Sequence, residues 1–175
     1  VNTESINKQF AKKHFDYDDG ALFKCDASGM FCDTTGTPPG GYPGLTWYGS
    51  NDSTLYYSSY DRKSEHGWKE LIDMIYALNF TPAILDSFIN IDRVLWAFAV
   101  NTVVGNFDTY NGYYVHNYYL YKTEDGLFQM IPWDLSQSFI NALLGWDIFT
   151  PMGPNHPAHY CLLYTSPSPR DRYIS

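Results

Sequence analysis

Two carboxylates and a nearby amide are the groups in this chain best placed to do chemistry. Asp108 and Asp134 lie 26 positions apart, near the two ends of the stretch GNFDTYNGYYVHNYYLYKTEDGLFQMIPWDL (105–135). That stretch reads as an Asn-rich loop, a strand, a turn and a second strand. A β-hairpin returns the chain on itself, so residues far apart in sequence finish side by side. Two Asp side chains and an Asn carboxamide gathered at strand ends form a hard-oxygen site, the kind that holds Mg2+ against phosphate groups.

The elements that must position these residues are legible from residue type. Asn117 to Tyr121 are strand formers. Thr123-Glu124-Asp125-Gly126 is a turn, with Asp-Gly supplying the positive-φ position. Leu127, Phe128, Met130 and Ile131 form the return strand, and Pro132 ends it because proline lacks a ladder N–H. Upstream, Asp92 is placed as an N-cap. Val94, Leu95, Trp96, Phe98, Ala99, Val100, Val103 and Val104 make a helix that is apolar nearly all round, which predicts burial in a domain core. Gly105 stops this helix.

Buried helix, polar loop with an Asp, hairpin and second Asp is also the order of the catalytic and metal-binding loops of protein kinases. The usual His-Arg-Asp and Asp-Phe-Gly letters are absent. Those present are Asn106-Phe107-Asp108, His116-Asn117-Tyr118-Tyr119-Leu120-Tyr121 and Ile131-Pro132-Trp133-Asp134-Leu135. Together they resemble the CotH spore-coat kinase family. Phe88 to Asn101 fits that family's preceding helix, and Leu22-Phe23-Lys24-Cys25 after Asp19-Gly20 resembles its Gly-x-Leu-Tyr-Lys segment. The resemblance covers roughly residues 5 to 145 and rests on the two tyrosine- and tryptophan-bearing motifs at this separation.

The resemblance implies an α+β fold like a protein-kinase C-lobe, mainly helical, with a hairpin carrying the metal-site acids. It implies an atypical secretory or cell-surface kinase that moves the γ-phosphoryl of ATP, with Mg2+ or Mn2+, to Ser/Thr of exported proteins. Asp108 is then the catalytic residue that accepts or orients the acceptor hydroxyl. Asp134 and Asn117 bind the metal nucleotide, with Asn111 a further amide ligand and Asn106 a competitor. Lys24 is a candidate phosphate clamp, and the nucleotide-clamping half is expected upstream of Val1. Many members carry another Asp two residues after Trp-Asp, where this chain has Ser136.

Plainer roles exist for each of these residues. Asp108 could be a turn residue. Asp134 could cap a helix over Leu135–Leu144. His116 reads as structural, and Trp133 as packing. Two other functions share the features: a surface adhesion module on a degenerate kinase scaffold, and a glycoside-acting enzyme using paired carboxylates beside aromatic platforms. The last does not account for Asn117 or for the segment order.

Composition sets outer limits. The 175 residues, 45% hydrophobic and 18% aromatic with 16 Tyr, describe one globular domain. A formal net charge of −8 argues against nucleic-acid backbone binding. No signal peptide or membrane span is visible, and the family resemblance places the protein outside the cell, at its surface or in a secretory lumen. Cys161–Asp171, CLLYTSPSPRD, matches the translation of a transposase-type sequencing adapter. Residues 161–175 therefore read as an artefactual tail, and 1–160 as the domain. Without the tail the chain loses two Arg and one Asp, and the charge becomes −9.

Cys25 and Cys32 then remain. In an oxidising compartment they could close a short loop, and otherwise they are reduced thiols; the spacing is a poor zinc pattern. Asn51 and Asn79 begin glycosylation sequons. Helices are expected over Ser5–Phe15, Glu65–Leu78 and from Thr81-Pro82 toward Phe88. Leu45 to Tyr48 is expected as a short strand, and Leu55 to Tyr60 as an extended segment. Residues 34–44 are a loop by composition.

Overall fold

The computed structural model describes residues 4–26, 43–106, 108–112 and 115–139. Cys32, Phe107 and the 161–175 tail lie outside these, as does the second half of the helix expected after Asp134. The fold is α+β. Its elements are α1 (Lys8–Phe15), β1 (Leu22–Cys25), β2 (Asp61–Arg62), α2 (Trp68–Phe80), α3 (Ile91–Val103), β3 (Tyr118–Lys122) and β4 (Phe128–Pro132). The four strands form one sheet in the order β2-β1-β3-β4, antiparallel throughout.

Alternation along the strands sends side chains to two faces. Phe23, Cys25, Tyr118, Leu120, Phe128 and Met130 pack with Leu71, Ile72, Met74 and Ile75 of α2 and Ala97 of α3. Leu22, Tyr119, Tyr121 and Ile131 pack on the opposite face with Ala11, Phe10 and Phe15 of α1 and its flanks. The α2 positions 71, 72, 74 and 75 fall at helical spacing, and Leu71 and Ile75 are completely buried. Each such side chain contributes roughly 1.5–3 kcal/mol of hydrophobic stabilisation.

The expected hairpin is present. β3 and β4 pair from Tyr118↔Pro132 to Lys122↔Phe128. Asp125 Oδ1 accepts from the Leu127 N–H at 3.1 Å and from the Thr123 hydroxyl at 2.6 Å, which closes the turn. Gly126 sits at φ 86°, the left-handed conformation that glycine adopts without penalty. Pro132 is the last residue of the return strand.

Four expectations need correction. First, Asn90, not Asp92, caps α3, its side-chain oxygen accepting from the Arg93 N–H at 3.0 Å. Second, α3 is not enclosed. It buries Ala97 and Asn101, while Leu95, Trp96, Val100 and Val103 are exposed, Trp96 at 73%. A helix apolar on all sides can present only one face to a sheet, and no other described element covers the rest.

Third, Leu45–Tyr48 forms no strand, and Leu55–Tyr60 is not extended but begins in the 3-10 turn Ser53–Tyr56. Tyrosine hydroxyls there replace a strand ladder. Tyr60 Oη accepts from the Leu45 N–H at 2.8 Å, and Tyr56 Oη accepts from the Tyr48 N–H at 3.2 Å. Fourth, the segment after Thr81 is a 3-10 helix, Pro82–Ser87. The Asn79 amide of the second sequon donates to the Leu45 and Ile75 carbonyls, so it is already engaged. No helix among the described residues is long and apolar enough to cross a membrane.

Candidate functional site

The site lies at one end of the sheet, where β1 and β4 finish and β3 begins. Tyr118 faces Cys25 on one side and Pro132 on the other. One residue further along that end, Asp26, Asn117 and Trp133 follow in register, and the Trp133 N–H donates to the Asn117 carbonyl at 3.0 Å. Asp134 and His116 come next. Adjacent strands are about 4.8 Å apart, so these side chains form one continuous polar edge.

Asp108 reaches this edge from the loop after α3. Its N–H donates to Asn106 Oδ1 at 3.1 Å. Asn106 is tied back to α3, donating to Asn101 Oδ1 at 3.2 Å, and Asn101 donates in turn to Thr109 Oγ1 at 3.2 Å. Asn101, Asn106 and Thr109 are all buried. This amide network fixes a loop that has no regular backbone ladder, and it makes α3 the base on which Asp108 stands.

The carboxyl of Asp108 is then held from two sides. Asn117 Nδ2 donates to Oδ2 at 2.9 Å, and His116 Nε2 lies 3.1 Å from Oδ1. Burial pushes this carboxyl above its ordinary range. The charges of Asp134 and Asp26 act in the same direction, while His116 and the Asn117 hydrogen bond oppose them. Asp134 is displaced the other way: its hydrogen bonds with Ser136 hold it below the usual carboxylate range, helped by the charges of His116 and Lys24. The two acids therefore share an electrostatic neighbourhood but have opposite proton affinities, the condition for assigning them different roles.

Asn117 and Asp134 both adopt left-handed backbone, at φ 56° and 47°. A residue with a Cβ pays on the order of 1 kcal/mol there. Asn and Asp tolerate it best, and strain of this kind gathers where side-chain aim matters. Asp134 Oδ1 accepts from the Ser136 N–H at 3.2 Å and caps the 3-10 turn Leu135–Gln137. The capping role foreseen for it is real, although the element it caps is this short turn.

Asn111 is placed differently. Its Nδ2 donates to the Phe98 carbonyl at 3.3 Å and to Thr102 Oγ1 at 3.4 Å, both on α3. Its Oδ1 is buried without a hydrogen-bond partner. Among the described residues no three His, Cys, Asp or Glu side chains converge as a metal cage. The donor set here is two carboxylates and amide oxygens, which is the chemistry of a hard cation that keeps waters and phosphate oxygens in its shell. The Asn111 oxygen, which has no hydrogen-bond partner among the described residues, is of the same chemical type, but its amide is anchored on α3 rather than at the strand ends.

Sequence reasoning underrated His116, which contacts the carboxyl directly, and missed Asp26. No local signal marks Asp26; only the register of β1 against β3 brings it opposite Asn117. Trp133 packs edge-on to Tyr119, with ring centroids 5.6 Å apart, as expected of a packing residue. Cys25 is fully buried, and burial raises its thiol well above the ordinary value.

The family model described as CotH kinase protein matches residues 1–156. This chain belongs to the CotH kinase family, and it is in that sense a kinase-like protein. No curated protein and no solved structure matches it.

Proposed function

We propose that this protein is an atypical secretory or cell-surface protein kinase that transfers the γ-phosphoryl of ATP to Ser or Thr of exported proteins. The observation that carries the reading is the Asp108 carboxyl, gripped by Asn117 and His116 on the same sheet end as Asp134. Helix, Asp loop, hairpin and second Asp follow the order of a kinase C-lobe, and the family supports that analogy.

Among the described residues one contact is seen on each Asp108 oxygen, and a carboxylate oxygen can accept a further hydrogen bond from an acceptor hydroxyl. The raised proton affinity makes the carboxylate a better base than a solvated Asp. Its main task is orientation, because a loose phosphoryl-transfer transition state needs positioning more than basicity. Asp134, Asn117 and Asn111 are the residues that would hold Mg2+ or Mn2+. A cation bound there supplies neutralisation of phosphate charge. Asp134, acidic enough to stay ionised, suits that role.

The test is incorporation of labelled γ-phosphate into Ser/Thr peptides by the protein, expressed with whatever coding sequence precedes Val1. Asp134→Ala is expected to abolish it, and Asp108→Asn to lower kcat by about 10²–10⁴. Undiminished transfer in Asp134→Ala would remove the metal assignment. Absence of transfer in the wild type, with surface binding unaffected by either change, would favour an adhesion role instead.

A further inference from the structure

The same end of the sheet carries a second feature. Toward the β2 edge lies an open cavity of about 600 Å3, lined by Lys24, Asp26, Tyr57, Asp61, Arg62 and Trp68 among others. Its walls are aromatic: Tyr57 and Trp68 lie with ring centroids 4.8 Å apart. Its two cations and two anions balance in number but not in pairing. Lys24 pairs with Asp26, and Asp61 pairs with Lys63 from beside the cavity. Arg62 lies over the Trp68 ring, its Cζ 5.9 Å from the centroid. Among the described residues no carboxylate forms an ion pair with it.

A guanidinium laid on an aromatic wall keeps its hydrogen-bonding edge for a planar anion. Resting on the reading of Asp108 as the acceptor-orienting residue, we propose that this cavity binds an acidic side chain of the acceptor polypeptide, through Arg62, and so sets acceptor specificity.

The spacing supports one continuous peptide path. Asp26 stands beside Asn117 in the sheet, and Asn117 grips Asp108. Arg62 lies opposite Phe23, two strand spacings from β3 and three residues along the sheet from the Asp26–Asn117 rung, about 14 Å in all, and an extended peptide advances about 3.3 Å per residue. The anionic group therefore falls about four residues from the acceptor Ser or Thr. A carboxylate and a phosphate both satisfy Arg62, so an Asp or Glu and a previously phosphorylated serine are two sources of one chemistry.

The experiment uses short labelled peptides with one central Ser and Glu, phosphoserine, Gln or Lys four positions away on either side. Binding is followed by fluorescence anisotropy, and phosphoryl transfer is followed separately. The Glu or phosphoserine peptides are expected to bind about five- to tenfold more tightly than the Gln peptide. Their order tells carboxylate from phosphate recognition. Arg62→Gln is expected to erase the preference while leaving Gln-peptide binding unchanged, and Arg62→Lys to retain part of it.

Equal binding of the Gln, Lys and Glu peptides, no binding of any, or a preference that survives Arg62→Gln overturns the assignment. Transfer to all peptides without charge preference sinks this cavity's role and leaves the kinase reading standing. Selective acidic-peptide binding without any transfer sinks the kinase reading and with it the acceptor role, leaving only an anion-binding cavity.

Discussion

Asp108 carries its carboxyl where only 21% of the side chain meets solvent, facing the charges of Asp134 and Asp26 on one side and His116 on the other. Burial raises its pKa, so the neutral form is the one the fold favours. The stabilising contribution of such a group is complete below the unfolded value, about 3.9, and is lost as pH rises through the higher folded value. At neutral pH the ionised carboxyl is therefore a cost to folding that function requires. Asp108→Asn keeps the shape and removes the charge. It is expected to melt at a higher temperature than wild type at pH 7, with the gap closing as pH falls below about 4. Asp134 has the opposite sign: its contribution is present above about 3.9 and lost as pH falls through its lowered folded value. Asp134→Asn should give no such gain. Thermal unfolding of the three proteins across this range decides it, and a less stable Asp108→Asn at pH 7 would mean that the His116 contact outweighs burial. Segment order and the motif letters pointed to Asp108, Asn117 and Asp134, and the first two are seen to touch. His116 and Asp26 stayed hidden because their meaning depends on a neighbour across the sheet.

At the scale of elements, two glycines separate backbone conformation from crowding. Gly126 in the hairpin turn has φ 86° with open space where a Cβ would stand. Gly67 at the start of α2 has φ 127°, and a Cβ there would lie 2.4 Å from the Ala21 Cβ. Gly126→Ala should cost about 1 kcal/mol, the conformational penalty alone. Gly67→Ala should cost about 2 kcal/mol more, since α2 must shift away from β1 to admit the methyl. Denaturant unfolding measures both, and equal losses would show that the α2–β1 contact yields freely. A parallel contrast holds between helices. Leu71→Ala, in the closed core, should lose about 2–5 kcal/mol, whereas Val103→Ala on the open side of α3 should lose under about 0.5 kcal/mol. The hairpin was legible because Asp-Gly between alternating apolar runs has one cheap solution. The open face of α3 was not, because an all-round apolar pattern says that a helix wants cover but not which described element supplies it. The Tyr-rich segments between residues 45 and 60 misled for a related reason: tyrosine favours strands, yet its hydroxyl can satisfy backbone groups directly and make a strand unnecessary.

Across the whole molecule, the high tyrosine content becomes a single property. Tyr60, Tyr110 and Tyr118 gather around Cys25, where β1, β3 and their loops meet, and burial pushes each phenol upward, Tyr110 to about 12 and the other two well above the ordinary value. Tyr60 and Tyr118 also tie distant chain together, Tyr60 accepting from the Leu45 N–H and Tyr118 donating to the Pro43 carbonyl. A neutral phenol favoured by the fold contributes stability that is fully present below the unfolded value, near 10, and is lost as pH rises toward the folded value. In the unfolded chain all three ionise near 10, while in the folded protein Tyr110 is pushed up to about 12 and burial holds Tyr60 and Tyr118 well above the ordinary value. Each group then removes about 1.4 kcal/mol per pH unit in that interval, so three together remove about 4. A domain at the lower end of ordinary stability, about 5 kcal/mol, should therefore unfold cooperatively a little above pH 11, and a more stable one at higher pH. Phenolate absorbance and far-UV circular dichroism recorded together test this. The buried phenols should ionise only as the circular dichroism signal collapses, and Tyr110→Phe should move the transition to higher pH by removing one of the three. Ionisation of all tyrosines near pH 10 with the fold intact would mean that water reaches this cluster, and that the junction beneath the candidate site is far looser than its packing implies.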